Sequence, residues 1–388
     1  MSRRFLLLTL NAAGNWPPER ELTRALVERG HAVRVVSDPA HAAEARAAGA
    51  DFRPYRIALR RPRPGEPAPT SELDFVLRRW FLNPEFCDEL LEEIAAERPD
   101  AVLVDAMLLA AFAGAEHAGV PAAALWHTLY GTPTMRPAQG ELLAPLHALR
   151  ERLGLPPLGE RPEAAEARAD AVLAFTYEAF DTPPEPRPAW LSYVGPLACL
   201  ARSQAPYTGP WRGDDLRPLV VVSYSTSPQG QEPLLQRVVD ALGGLPVRGL
   251  VTRGPAVPED ALRLPQNVAS EAFVSHASAL REASLVVTHA GHGTVMAAVT
   301  AGVPLLCTPM GRDQPDVARH VELRGLGAVV SPGASCEELG AAIARALADD
   351  ALAERARRFA AGVDAEAGRR LAVDLLERLA AHAAARPR

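Results

Sequence analysis

The sequence predicts an α/β protein made of two successive halves, each wound around a mainly parallel sheet. Two observations carry this. Short apolar runs alternate with amphipathic helical spacing, and the pattern stops in a Pro/Gly-rich polar stretch at 199–217 before starting again. With 388 residues the chain is long enough for two domains of ordinary size.

In the first half, residues 5–10 are an apolar run broken only by Thr9, as expected of a central parallel strand. Asn11 ends the run after six residues, so a first strand suits it better than a signal peptide. After a Gly/Pro turn, 19–29 has helical spacing with Leu22, Ala25 and Leu26 on one face, and Gly30 stops it. Residues 32–36 follow as a strand, completing a strand–helix–strand unit. A strand at 101–104 ends in Asp105, a helix at 109–118 is stopped by Gly119, and 121–125 is a further strand. Residues 172–174 and the segment around Tyr193-Val194 close this half. Residues 54–86 break the pattern with a proline-rich loop and an aromatic segment of helical spacing at 75–86.

The stretch at 199–217 reads as a linker. Strands are then predicted at 219–222, 249–252, 285–288, 305–306 and 327–330, and helices at 231–241, 279–282, 294–300 and 318–323. The Ala/Arg/Leu-rich segment 352–385 predicts one or two amphipathic helices.

Bulk chemistry narrows the function. A hydrophobic content of 48%, a charged content of 23% and a net charge of −6 describe a globular chain without the basic excess of a nucleic-acid binder. No apolar stretch reaches membrane-spanning length. The four cysteines, Cys87, Cys199, Cys307 and Cys336, lack metal-ligand spacing and fit a reducing cytoplasm. The acidic pairs Asp214-Asp215 and Asp349-Asp350 read as solvated surface residues, and no metal site is expected.

The most informative segment is Val286-Val287-Thr288-His289-Ala290-Gly291-His292-Gly293-Thr294, followed by Gly302-Val303-Pro304 and Asp313-Gln314. It reads as a buried strand, a glycine turn, a helix, a second strand and an acidic loop. A turn at a strand's C-terminal end exposes backbone N–H groups, and the helix that follows adds its positive end, which suits a diphosphate. His289 can add a donor and Thr294 a hydroxyl, while Asp313 and Gln314 set a carboxylate beside an amide for sugar hydroxyls.

On these residues the chain resembles the family 1, UDP-glycosyltransferase-like glycosyltransferases, above all the bacterial branch that decorates natural products from TDP- or UDP-activated sugars. The resemblance is specific from His289 to Gln314 and extends more weakly over the whole chain. It implies a GT-B architecture, two Rossmann-like domains facing across a cleft. The boundaries it implies are an acceptor domain at 1–198, a linker at 199–217, a nucleotide-sugar domain at 218–360 and a C-terminal helix at 361–388 packing back on the N-terminal domain.

It further implies that His289, Gly291, His292, Gly293 and Thr294 hold the diphosphate, and that Asp313 and Gln314 hold the sugar. Ser225 and Thr226 would offer hydroxyls to a phosphate, and Phe273 and His276 would hold the base. Ala290 stands where the bacterial pattern more often has Gly, which matters only if the backbone needs a positive φ. Ala297 stands where the plant branch has a ribose-binding Glu, so TDP suits the site at least as well as UDP. The nucleotide sugar is a co-substrate, and no cofactor is implied.

Inverting glycosyl transfer needs a base for the acceptor proton. The family supplies a His after the first strand, in Gly-His-x-x-Pro, oriented by an Asp at a later strand end. Here the segment is Gly14-Asn15-Trp16-Pro17-Pro18, with Asn15 in the histidine's place and Asp105 matching the orienting Asp. Asn has no basic nitrogen. Three readings stay open: Asp105 or His127 is the base; the acceptor is acidic enough for weak assistance, with Asn15 positioning it; or the chain has lost ordinary activity. Trp16, Trp80, Phe81, Trp126 and Tyr130 are candidates for a flat apolar acceptor pocket, although each taken singly reads first as a core residue.

The expected function is inverting, metal-independent transfer of a sugar, such as a deoxysugar, from a TDP/UDP-sugar to a small lipophilic or aromatic aglycone. The alternatives are carbon or nitrogen glycosylation of an acidic or aromatic acceptor, and a non-catalytic partner of another glycosyltransferase. No nucleic-acid or membrane partner is expected, and a homodimer is left open.

Overall fold

The computed structural model describes residues 2–12, 14–57, 77–131, 143–158, 168–200, 207–224, 229–254 and 256–385. The chain divides into two units. One comprises 1–175, 183–197 and 367–388; the other comprises 176–182 and 198–366.

The first unit holds a seven-stranded parallel sheet: β1 (Arg4–Leu8), β2 (Ala32–Ser37), β3 (Asp51–Pro54), β4 (Ala101–Asp105), β5 (Ala122–Trp126), β6 (Ala171–Ala174) and β7 (Leu191–Tyr193), in the order β3-β2-β1-β4-β5-β6-β7. β4 and β5 are buried along their whole length, which explains their unbroken apolar sequence. β1 pairs with β2 on one side and β4 on the other. The strand order reverses there, and in open α/β sheets that leaves a crevice at the strands' C-terminal ends.

The second unit repeats the plan with β8 (Leu219–Ser223), β9 (Arg248–Thr252), β10 (Val268–Glu271), β11 (Ala283–Thr288), β12 (Leu305–Cys307) and β13 (Gly327–Val329), ordered β10-β9-β8-β11-β12-β13. Its reversal lies between β8 and β11, which pair in parallel from Ala283/Leu219 to Thr288/Ser223. Gly327 is required at β13, because a Cβ there would lie 2.2 Å from the Leu305 carbonyl oxygen.

Several elements differ from the predicted ones. The helix expected at 279–282 is His276–Ala279, because Ser275 caps it by accepting from the Ser278 N–H. The helix expected at 318–323 begins at Gln314, where Pro315 fits the first turn. β3, β10 and the helix Cys336–Ala348 had no predicted counterpart. In the irregular region 54–86, residues 58–76 lie outside the described residues; beyond them come a π turn, Leu77–Phe81, and the helix Glu85–Ala96.

The last helix, Ala365–Ala385, runs against the first unit's sheet. Gly368 permits this, since a Cβ there would meet the Val194 carbonyl oxygen at 2.1 Å. Arg29 reaches Asp374 at 3.1 Å, and His31 Nε2 lies 2.9 Å from Glu377. Tyr207 and Trp211 bond to Glu271 and the Asn267 carbonyl within the second unit. No helix among the described residues is long and apolar enough to cross a membrane.

Candidate functional site

In the second unit, β11 delivers the chain into a turn and then into the helix His292–Ala301. Gly291 occupies the N-cap and, having no side chain, supplies no cap of its own; the helical ladder starts where the Val295 N–H donates to the Gly291 carbonyl. Ala290 is buried with φ 67°, so the position that departs from the resembling pattern does adopt a left-handed backbone. A Cβ at Gly291 would sit 2.6 Å from His289 Nε2, so a side chain there would displace the imidazole. Gly293 is exposed, and a Cβ there would meet no atom of the described residues within 4 Å. The helix thus presents an open backbone surface at its positive end.

His289 is buried and stacks on Tyr224, with ring centroids 5.8 Å apart. Burial pushes its pKa down to about 4, assisted by the Arg312 charge and opposed by a backbone hydrogen bond to Ser223. At neutral pH it is therefore an uncharged imidazole with one N–H. Thr294 is buried in the first turn. Asp313 sits at the N-cap of the helix Gln314–Leu323 without a side-chain cap bond.

Gln314, by contrast, is 2% exposed and fully engaged within the unit. Its Oε1 accepts from the Met310 and Gly311 N–H groups at 2.8 and 3.2 Å, and its Nε2 donates to Gln229 at 2.9 Å. It braces the loop that carries Asp313. Phe273 is 82% exposed, unusual for a large aromatic and suited to stacking on a flat ring. His276, half-buried, opens a short helix, and burial lowers its pKa. Ser225 and Thr226 lie outside the described residues.

In the first unit, the C-terminal ends of β1, β4 and β5 bring together Asn15, Asp105 and His127. Asn15 holds the N-cap position of the helix Trp16–Glu28 but does not cap it. Its Nδ2 instead donates to Asp105 Oδ2 at 2.7 Å, while Asp105 Oδ1 accepts from the Met107 N–H at 2.8 Å. Burial pushes the Asp105 carboxyl up to about 6 and the Glu19 charge adds to this, against His127 and the two hydrogen bonds. Burial likewise pushes His127 down to about 4, against the pull of Asp105.

Sequence reasoning missed Glu19. It is fully buried, and its Oε1 lies 3.0 Å from His127 Nε2, which is 3.7 Å from Asp105 Oδ2. Thr9 donates from its hydroxyl to Glu19 Oε2. Burial raises the Glu19 pKa well above the ordinary carboxylate value. A signal was available: Glu19 shares the inward helix face with Leu22 and Leu26, at spacings of three and seven. A carboxylate on an apolar face asks for a partner.

The candidate acceptor aromatics are packed residues. Trp16 is buried, stacks on His41 at 4.5 Å and donates to Glu44 at 3.1 Å. Phe81, Trp126 and Tyr130 are buried in the unit's hydrophobic core, and Trp80 is half-buried against it. Trp126 donates to the Leu129 carbonyl, with Tyr130 edge-on at 5.2 Å. The two acidic pairs have local roles: Asp215 pairs with Arg217 and Asp214 with Arg212, and Asp349 caps the helix Asp350–Ala361.

Two parallel α/β units of this plan are those of a GT-B glycosyltransferase, and solved structures bear out the fold. The crystal structure of the glycotransferase of kitacinnamycin superposes with a TM-score of 0.80 at 24% identity, covering 97% of this chain and 99% of that one. The glycosyltransferase VinC in complex with dTDP gives 0.70 at 20% identity, covering 99% and 100%. Residues 236–378 match the family described as erythromycin biosynthesis protein CIII-like, C-terminal domain, and residues 20–176 match glycosyltransferase family 4. The oleandomycin glycosyltransferase of Streptomyces antibioticus is 29% identical over 390 aligned positions, covering 96% of this chain and 89% of that protein. The chain is thus a GT-B glycosyltransferase, and its relatives are bacterial natural-product glycosyltransferases.

Proposed function

We propose that the protein is an inverting glycosyltransferase that moves a sugar from a TDP- or UDP-activated donor to a small lipophilic or aromatic natural-product acceptor. The observation that carries this is the uncapped turn from Thr288 to Thr294, with open space over Gly293 and a neutral His289 beside it. Such a turn stabilises charge that builds on a departing diphosphate. The dTDP bound to VinC supports a thymidine donor.

Residues 218–360 serve the donor and 1–198 the acceptor, with 361–388 returning to the latter. Phe273 and His276 hold the base, Asp313 meets the sugar, and Gln314 fixes the loop that presents it. In the transfer, the acceptor O–H electron pair forms the bond to the anomeric carbon while the bond to the diphosphate breaks. The proton passes to a base, Asp105 or His127, and Asn15 steadies the Asp105 anion. No metal takes part, and the reaction belongs to the cytoplasm.

One observation favours carbon or nitrogen glycosylation as a second reading. Position 15 offers no basic nitrogen, and its amide is spent on Asp105, which suits acceptors that release a proton easily.

The test is product stereochemistry. With TDP-glucose and the phenol 4-methylumbelliferone, an α-linked donor should give a β-linked product by proton NMR. An α-linked product would contradict the reading, and no binding of TDP or UDP would favour a non-catalytic partner instead.

A further inference from the structure

We propose that Glu19 is a positioning residue for the transfer: it holds His127 through Nε2 and leaves Nδ1 as the nitrogen that accepts the acceptor's proton. This rests on the glycosyltransferase reading above. Glu19 lies one turn into the helix Trp16–Glu28, on the face turned to the ends of β1 and β5. His127 follows β5, and its side chain is 8% exposed. Its Nε2 has two carboxylate oxygens nearby, Glu19 at 3.0 Å and Asp105 at 3.7 Å. Its Nδ1 is buried and has no hydrogen-bond partner among the described residues.

That asymmetry sets the tautomer. An orphaned buried N–H costs more than an orphaned lone pair, because unpaired buried donors are rare in native structures. With Glu19 as the carboxylate, the proton therefore sits on Nε2, directed at Glu19, and the lone pair sits on Nδ1. The ring is held by Phe175 at a centroid distance of 5.0 Å. When Nδ1 takes the acceptor proton, the O–H pair goes to the new bond at the anomeric carbon, and the diphosphate leaves with the pair of the bond that breaks. The imidazolium formed has both carboxyl groups at its Nε2 side, and Nδ1 gives up its proton to water admitted as the product departs.

The same three side chains could be considered as metal ligands, since their ligating atoms lie within 4.8 Å of one another. The hydrogen bonds decide against it. Thr9 serves Glu19 Oε2, Asn15 serves Asp105 Oδ2, Met107 serves Asp105 Oδ1, and Glu19 Oε1 faces His127. Three of the four carboxylate oxygens accept from protein donors and the fourth faces His127, which suits proton transfer better than coordination.

The experiment combines imidazole NMR with kinetics on the full chain. In protein labelled with nitrogen-15 histidine, the His127 signals are identified by their loss in His127→Asn. The expected result is an Nε2–H tautomer in the parent at pH 7.5, and nitrogen shifts moved towards the tautomer average in Glu19→Leu. With TDP-glucose and 4-methylumbelliferone, Glu19→Gln is expected to lower kcat about tenfold or more with KM little changed, as for a misdirected base. Glu19→Asp should recover part of that loss.

An Nδ1–H tautomer in the parent would overturn the proposal. So would full kcat in Glu19→Gln where His127→Asn is inactive. Should Glu19→Leu fail to fold, an unchanged His127 spectrum together with unchanged kcat in Glu19→Gln would overturn it equally. A parent with the Nε2–H tautomer but no transfer to any acceptor would instead sink the functional reading on which the proposal stands.

Discussion

Asn15 donates its side-chain amide to Asp105 across 2.7 Å, in the place where the resembling family puts a histidine against an aspartate. The pairing survives, but the nitrogen has changed from a base to a donor. An amide N–H steadies the carboxylate, so it lowers a pKa that burial has driven up.

A pH profile follows. The Asp105 carboxyl is pushed up to about 6, so activity that needs the anion falls as pH drops through that value. The limb should appear in kcat/KM, which reports the free enzyme. Asn15→Leu removes a donor to the anion, so its limb should move to higher pH. Asp105→Asn should abolish the limb in either case, and should cost about the full 10²- to 10⁴-fold of a missing base only if Asp105, rather than His127, takes the proton. A profile flat from pH 5 to 8 would contradict the assignment.

The docking of the last helix should be sensitive to one atom. At Gly368 a Cβ would lie 2.1 Å from the Val194 carbonyl oxygen, a rigid backbone neighbour. Gly368→Val should destabilise the fold by about 2 kcal/mol or more, the scale of forced overpacking. Thermal unfolding measures it, and an unchanged midpoint would show that the helix does not approach as described.

Metal removal should do nothing. The cluster of Glu19, Asp105 and His127 has three of its four carboxylate oxygens occupied by protein donors. Turnover in EDTA should match turnover without it. Loss that manganese or magnesium restores would place an ion in the reaction.

Some of this was readable from sequence. The turn after β11 was, because it is local: an apolar strand, glycines and a helix start occur within nine residues. Even the departure at Ala290 could be framed in advance as a question of φ. Glu19 was not seen, since a single carboxylate among Leu22, Ala25 and Leu26 reads as helix surface until its partners from β1 and β5 are known. Gln314 shows what spacing leaves out: its carbonyl oxygen braces its own loop and its amide nitrogen donates to Gln229. The aromatics at 16, 126 and 130 could not be sorted into pocket or core, because that depends on tertiary packing rather than on spacing. The helix Cys336–Ala348 had a signal that went unused: Ser335 and Glu338 form a capping box.

The most direct measurement is calorimetric titration of TDP into the full chain and its Gly293→Ala and Gly291→Ala variants. The added methyl at 293 meets no atom of the described residues within 4 Å, and alanine favours a helix, so that variant should unfold no earlier than the parent. It should nevertheless bind TDP about tenfold more weakly or worse, a loss of about 1.4 kcal/mol, because the methyl occupies space meant for the diphosphate. Gly291→Ala should also bind weakly, through a displaced His289. If the parent does not bind TDP or UDP, or if Gly293→Ala binds TDP as well as the parent does, the turn after β11 is not the donor cradle.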